Sequence, residues 1–172
     1  MSKLRGADES LAPLRFRMRA IPVSSVAIGS LAPLLPLIAA WPLLPPLGLL
    51  MLLGWRFVRP ETWPLWIGLP LGLFDDLLSG NPLGSAVFLW TAILVALDIF
   101  DNRFIWRDYW FDWLMATAAI AFYIVFSMLA SSLADRGDPA LAPLAPQLAA
   151  SVLTFPLVLR LCARLDRWRL DW

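Results

Sequence analysis

Two adjacent aspartates, Asp75 and Asp76, have the greatest capacity for chemistry in this chain because both lie inside an apolar segment at 63–79. A carboxylate in lipid is costly and is normally buried against a partner, a ligand or water. Neighbouring carboxylates also oppose each other's ionisation. The pair could cap turn amides and neighbouring helices, contact a partner subunit, or relay protons and bind a ligand. The sequence leaves these three roles open.

The chain lacks the usual parts of hydrolytic enzymes. It has no histidine and one cysteine, Cys162, so it offers no histidine base, no metal-ligand pattern and no internal disulfide. Intramembrane aspartyl proteases place a catalytic aspartate after Gly-x-Gly, whereas Asp76 follows Leu-Phe-Asp. The spaced aspartates and glycines of phosphatidyltransferases do not occur either. We therefore expect a protein without enzymatic activity, metal or cofactor.

Small or acidic residues recur every four positions around the aspartates, and on a helix this spacing places them on one face. This glycine stripe comprises Gly68, Gly72, Asp76, Gly80 and Gly84. Glycines so spaced let another helix approach closely, which is how helices associate in lipid. The Ser-Gly-Asn-Pro turn at 79–82 ends the helix, and Asp75 points about 100° away from the stripe. The candidate partner-binding or helix-packing residues are Gly68, Gly72, Asp75, Asp76, Gly80, Asn81, Pro82 and Gly84.

The composition is that of an integral membrane protein. Apolar residues make up 60% of the 172 residues and charged residues 16%, which is too apolar for a soluble domain of this size. A membrane helix needs about 20 apolar residues. A Trp-Pro-rich break at 41–46 divides the first long run into two spans, so six spans are predicted, and five remain the alternative if that run is one helix. The apolar runs are 20–55, 63–79, 81–97, 113–134 and 139–159.

The basic residues favour six spans over five. In the six-span topology, thirteen of the fourteen Lys and Arg residues fall on one side of the membrane and only Arg136 falls on the other. In the five-span topology, six fall on one side and eight on the other. Basic residues are retained on the cytoplasmic side during insertion, so both termini are expected in the cytoplasm. The basic residues on that side are Lys3, Arg5, Arg15, Arg17, Arg19, Arg56, Arg59, Arg103, Arg107, Arg160, Arg164, Arg167 and Arg169.

The spans and tails divide the chain into three regions. We expect a basic cytoplasmic tail at 1–20, a six-helix membrane domain at 21–162 and a second basic tail at 163–172. No loop between spans is long enough for a soluble domain. Any activity must therefore come from membrane surfaces, short loops, or the aromatic and charged segment 98–112, which has the composition of an interfacial amphipathic helix. That segment would anchor its neighbouring spans or bind a cytoplasmic partner.

Tryptophans are predicted mainly at the membrane interfaces, where amphipathic rings prefer to lie. Trp55 and Trp63 are among those expected at the cytoplasmic interface, and Trp41 is expected at the outer one. Trp90 alone falls in the middle of a span. Its side chain is therefore predicted to be buried.

The stretch 72–84, Gly-Leu-Phe-Asp-Asp-Leu-Leu-Ser-Gly-Asn-Pro-Leu-Gly, resembles the signature of the MreD family of bacterial rod shape-determining membrane proteins. In that family a glycine, an aspartate four residues on, a glycine after four more and a closing Leu-Gly recur in a middle span. Asp75 stands where this pattern leads us to expect an apolar residue. The Arg-Pro-Glu sequence at 59–61 and the chain length are also similar to the family. The matching residues are Gly72, Asp76, Gly80, Leu83 and Gly84.

The resemblance implies a non-enzymatic scaffold of the machinery that builds lateral peptidoglycan and controls cell shape, located in the bacterial inner membrane. Its partners would be the bitopic periplasmic scaffold MreC, the actin-like MreB, the RodA glycosyltransferase and a class B penicillin-binding protein, together with membrane lipid. Self-association is left open. The net charge of +1 gives no indication of nucleic-acid binding.

MreD-like proteins are also similar to the six-helix substrate-binding subunits of energy-coupling-factor vitamin transporters. This similarity implies an all-α, six-helix fold and supplies the alternative function, a small-molecule-binding transporter subunit. Such subunits couple through an Ala-x-x-x-Ala pair in the first span, and 20–41 contains no such pair. The scaffold function is therefore preferred.

Overall fold

The computed structural model describes residues 20–34, 44–79, 82–103, 109–135 and 144–170. Within these ranges the chain is all-α, as predicted, and contains six α-helices. Short 3-10 helices lie at Ala32–Leu34, Pro60–Thr62 and Leu65–Ile67. The α-helices are α1 (Ala20–Ser30), α2 (Leu47–Val58), α3 (Gly68–Ser79), α4 (Ser85–Arg103), α5 (Tyr109–Asp135) and α6 (Leu144–Leu170).

Two of the described helices, α5 and α6, are long and apolar enough to cross a membrane by themselves. Each has 27 residues, which is about 40 Å at 1.5 Å per residue. α2 and α3 have only 12 residues each and extend about 18 Å, less than the roughly 30 Å of hydrocarbon. Prolines account for these short helices, because Pro46 precedes α2 while Pro60 and Pro64 precede α3.

α2 lies at the centre of the helix bundle. It is apolar on nearly all sides, and all nine residues of 48–56 are buried, as expected of a helix without a polar face. α1 packs antiparallel against it. The Trp55 indole donates a hydrogen bond to Ser25 Oγ at 2.8 Å, and further along both helices Gly29 lies against the backbone of Leu47. The first long apolar run thus contains two separate helices.

The contacts of α6 show that it runs parallel to α2. Near one end Gln147 donates a hydrogen bond to the Leu44 carbonyl oxygen at 3.1 Å, and near the other Arg59 pairs with Asp166 at 2.9 Å. Between these points Gly54 packs against the Cys162 side chain. This arrangement places the C-terminal end of α6 beside the C-terminal end of α2.

Ion pairs join the helices at the end of the bundle that carries the basic clusters. Arg56 of α2 is buried and pairs with Asp101 at 2.8 Å and Asp98 at 3.5 Å, both on α4. Gly48, at the other end of α2, lies against Trp90 of α4. α4 is therefore parallel to α2, like α6, and the C-terminal ends of all three helices lie together.

Two tryptophans expected among the lipid headgroups are instead inside the protein. Trp55 is fully buried and Trp63 nearly so. The hydrogen bond from Trp55 to Ser25 and the Arg169 guanidinium, 5.5 Å from the Trp55 ring centroid, supply the polar contacts that headgroups would otherwise provide. Trp90 is fully buried, as predicted. Trp41 lies outside the described residues.

The segment 98–112 forms no separate interfacial helix over its described part. α4 continues to Arg103 and α5 begins at Tyr109, while 104–108 lies outside the described residues. The described part therefore extends two bundle helices. α6 likewise continues through the boundary expected between 162 and 163 as far as Leu170.

Candidate functional site at the α3–α4 hairpin

α3 and α4 form an antiparallel hairpin in which their backbones touch at the glycine stripe. A Cβ atom at Gly72 would lie 2.7 Å from Val87 Cα and 2.8 Å from the carbonyl carbon of Ala86. One at Gly68 would lie 3.0 Å from the Thr91 backbone. The helices can approach this closely only because these positions lack side chains. Since lipid removes the hydrophobic drive between helices, such close van der Waals contact is what holds the hairpin together.

Gly84 has a different reason to be glycine. It has φ +95°, in the left-handed region that side chains disfavour, while a Cβ atom there would meet nothing within 4 Å. Glycine is therefore required at this position by the backbone conformation and not by a lack of room for a side chain. This residue immediately precedes α4 and is its N-cap, so the helix begins without a capping side chain of its own.

Asp76 supplies the missing cap from the preceding helix. Its Oδ2 accepts hydrogen bonds from the backbone N–H of Gly84 at 2.8 Å and of Val87 at 3.4 Å. Its Oδ1 accepts from the backbone N–H of Ala86 at 2.9 Å and from the Ser85 hydroxyl at 3.1 Å. One carboxylate thus receives four donors from the start of α4.

This arrangement satisfies the backbone donors that a helix start leaves unpaired. The remaining N–H, that of Ser85, donates to the Pro82 carbonyl oxygen at 3.0 Å. Asp76 is only 2% exposed, so water has little access to these groups. A negative charge at a helix N-terminus is also favoured by the helix dipole. Gly72, Asp76 and Gly84, spaced four and then eight residues apart, therefore build a tightly packed helix pair with a buried cap.

Asp75 faces the interior of the bundle, away from the cap. The Tyr123 hydroxyl of α5 donates a hydrogen bond to its Oδ2 at 3.4 Å. Its Oδ1 lies 3.1 Å from the position that a Cβ atom would occupy at Gly48, beside Ser30 Oγ and the Trp90 ring. Five helices therefore meet around this carboxylate, which is buried.

The surroundings of Asp75 retain unused hydrogen-bonding capacity. Ser30 Oγ and Trp90 Nε1 are buried and, among the residues that the structure describes, have no hydrogen-bond partner of good geometry. The Ser30 hydroxyl nevertheless lies close enough to interact electrostatically with Asp75. An unpaired buried donor costs about 1–3 kcal/mol. We call Ser30, Asp75, Trp90 and Tyr123 the polar centre.

The structure brings most of the predicted site residues into one place. Pro82 takes part through its carbonyl group, and Gly80 and Asn81 lie outside the described residues. The other members of the polar centre were missed as site residues because they come from α1, α4 and α5 and form no local pattern. The predicted residues that meet at the hairpin are Gly68, Gly72, Asp76, Pro82 and Gly84.

A family model described as rod shape-determining protein MreD matches residues 16–161 of the 172. The match covers most of the chain and contains the whole α3–α4 hairpin. No curated protein and no solved structure gave a significant match.

Proposed function

Because this chain belongs to the MreD family of rod shape-determining proteins, we propose that it is a scaffold of the elongation complex and that the outer side of the α3–α4 hairpin binds MreC. Family membership makes it a non-enzymatic membrane protein with a part in determining rod shape. The scaffold role, the MreC contact and the wider set of MreB, RodA and a class B penicillin-binding protein are the proposed refinement.

The observation that carries the proposal is a groove on the lipid-facing side of the hairpin. Its volume is about 390 Å³, and Leu69 of α3 and Phe88 and Val95 of α4 line it together with Gly84. Leu69, Phe88 and Val95 are exposed. Close shape complementarity is the main source of affinity between membrane helices, so a preformed groove suits a single partner helix.

The internal packing of the hairpin supports the same choice of surface. The surface of α3 at Gly68 and Gly72 is covered by α4 of the same chain. A partner helix must therefore bind the opposite side of the hairpin. The Asp76 cap fixes the start of α4 and so holds Phe88, one turn further on, in place. Gly68, Gly72 and Asp76 thus act on partner binding by shaping the groove, without touching the partner.

We further propose six membrane crossings with both termini in the cytoplasm. Support comes from the alternating helix directions, with α2, α4 and α6 parallel and α1 and α3 antiparallel to their neighbours. The described basic residues of α2 and α6 lie at the same end. The basic-residue bias assigns that end to the cytoplasm.

Copurification tests the proposed docking surface with matched variants. Leu69→Ala with Phe88→Ala removes two exposed groove side chains, and Leu114→Ala with Phe126→Ala removes the same two types from exposed positions of α5. Interface anchors typically contribute about 1–2 kcal/mol or more each. We expect MreC recovery to fall at least about tenfold for the groove pair and to stay near the parent level for the α5 pair. Equal recovery with both pairs would contradict the proposed surface.

The second candidate, a small-molecule-binding subunit of a vitamin transporter, is favoured by the polar centre. Ser30 Oγ and Trp90 Nε1 are buried donors that make no hydrogen bond of good geometry with another described residue, and a polar ligand would supply the acceptor. Native mass spectrometry of the purified chain with a panel of vitamins tests it. A retained vitamin that is lost on Trp90→Phe would favour this function, and no retained vitamin would exclude binding from that panel.

A further inference from the structure

The C-terminal half of α6 has two faces of different character. Asp166 and Arg169 face the bundle, where they pair with each other at 2.7 Å and Asp166 also pairs with Arg59. Three other arginines, at 160, 164 and 167, lie on the opposite side of the helix. Their spacings of four and three residues place them within about 60° of one another around the helix axis. They are exposed, and they form no ion pair or hydrogen bond with another described residue. This arginine face comprises Arg160, Arg164 and Arg167.

The arginine face continues a lipid-facing surface. Leu153, two turns before the arginines, is 74% exposed, and Leu157, one turn before them, is 63% exposed. Trp168 follows the arginines and is 56% exposed. Counted from Leu144, about 20 residues cross the hydrocarbon, which ends near Arg164. Arg160 therefore lies about one turn inside that boundary, and its long side chain must extend towards the headgroups.

We propose that the arginine face binds the headgroup phosphate of an anionic phospholipid whose acyl chains lie along the exposed leucines of α6. Guanidinium groups bind phosphate through paired hydrogen bonds. The depth of Arg160, together with the unbroken run of lipid-facing side chains before it, selects a lipid over an acidic protein segment. This inference goes beyond the scaffold function and depends only on α6 crossing the membrane.

An apolar cavity beside the arginine face gives room for an acyl chain. It has a volume of about 260 Å³ and lies between α2, α5 and α6, where Phe57, Phe155, Pro156 and Leu159 line it. Pro156 and Leu159 are on the same turns of α6 as Leu157 and Arg160, rotated roughly 40–100° around the helix. Asp112 also lines the cavity. The aromatic and aliphatic side chains of the lining suit hydrocarbon, and the Asp112 carboxylate disfavours an anionic headgroup.

Native mass spectrometry of the full chain in dodecylmaltoside, titrated with dioleoyl phosphatidylglycerol or dioleoyl phosphatidylcholine, tests the proposal. A basic residue near an anionic surface changes affinity about fivefold at low salt. Replacing all three arginines of the face by Gln should therefore weaken phosphatidylglycerol binding on the order of 100-fold, and less at physiological ionic strength. Lysine at all three positions keeps the charge but loses the paired hydrogen bonds, so that variant should bind phosphatidylglycerol more weakly than the parent and more tightly than the Gln variant.

A charge-matched control uses Lys3→Gln, Arg5→Gln and Arg15→Gln, which lower the net charge equally and should leave the preference unchanged. The proposal is overturned if the parent binds the two lipids equally, or if the control weakens binding as much as the arginine-face variant. Excess soluble glycerol phosphate should not displace the lipid. Displacement would show a phosphate site that does not require lipid.

Discussion

Removal of the Asp76 carboxylate should destabilise the hairpin more than any neighbouring polar substitution. Asp76→Leu leaves the backbone donors of Gly84 and Ala86 without their acceptors at 2.8 and 2.9 Å. The weaker bond from Val87, at 3.4 Å, is lost as well. Each buried donor left unpaired costs about 1–3 kcal/mol, and loss of the charge at the helix N-terminus adds up to about 2 kcal/mol. We expect a loss of about 3–5 kcal/mol in total. This is less than the largest possible sum of the separate terms, because the helix end can loosen and let water reach the unpaired donors.

Asp76→Asn separates hydrogen bonding from charge. The amide retains one acceptor oxygen, so it can bind the donors of one carboxylate oxygen and loses those of the other. We expect a loss of about 1–2 kcal/mol, close to that of an ordinary N-cap substitution. Ser85→Ala removes only the 3.1 Å hydroxyl contact and should cost about 1 kcal/mol or less.

Cys162 provides the measurement. It is the only cysteine and is fully buried against α2, so a thiol-reactive fluorogenic dye reports unfolding of the bundle. Denaturation by sodium dodecyl sulfate in mixed micelles then gives the free energy of unfolding for each variant. A Leu variant within about 1 kcal/mol of the parent would refute the cap. Equal losses for Leu and Asn would show that charge, and not acceptor geometry, is what matters.

Three further substitutions test the packing, the ion pairs and the topology. Gly72→Ala should cost about 1–3 kcal/mol because it meets the α4 backbone, whereas Gly54→Ala meets the rotatable Cys162 side chain and should cost less; equal dye-detected stabilities would contradict this. Arg56→Met removes the ion pairs of Arg56 with Asp101 at 2.8 Å and with Asp98 at 3.5 Å and should lower stability by about 1–3 kcal/mol, an effect that should shrink when both aspartates are also replaced by Asn. With Cys162 replaced, Arg107→Cys should resist an impermeant thiol reagent in intact cells and react after permeabilisation; labelling in intact cells would exclude six spans.

Local periodicity explains what the sequence predicted well. The spacing of Gly72, Asp76 and Gly84, four and then eight residues, depends only on helical geometry and turn chemistry within 13 residues. The glycine positions that α4 contacts can therefore be predicted from the sequence without knowledge of the tertiary structure. The all-α class likewise follows from long apolar runs interrupted by prolines.

Tertiary neighbours decided what the sequence could not predict. Tryptophan is typical of membrane interfaces, which is why Trp55 was expected there. Inside the bundle, however, its indole donates a hydrogen bond to Ser25, thirty residues away in the sequence. The surroundings of Asp75 come from other helices, among them Tyr123 of α5 and Gly48 of α2. No spacing rule within one helix identifies such neighbours. The similarity to energy-coupling-factor subunits stays a prediction, since no solved structure matches.

Site-specific photocrosslinking in growing cells tests the central claim, that the outer side of the hairpin binds MreC, most directly. A photoreactive benzoylphenylalanine replaces Phe88 in the groove or, as a matched control, Phe126 on α5, both of which are exposed. The scaffold account predicts an MreC adduct from position 88 and none from position 126, with rod shape maintained in both strains. An adduct from position 126 alone, or none from either position in rod-shaped cells, would contradict it.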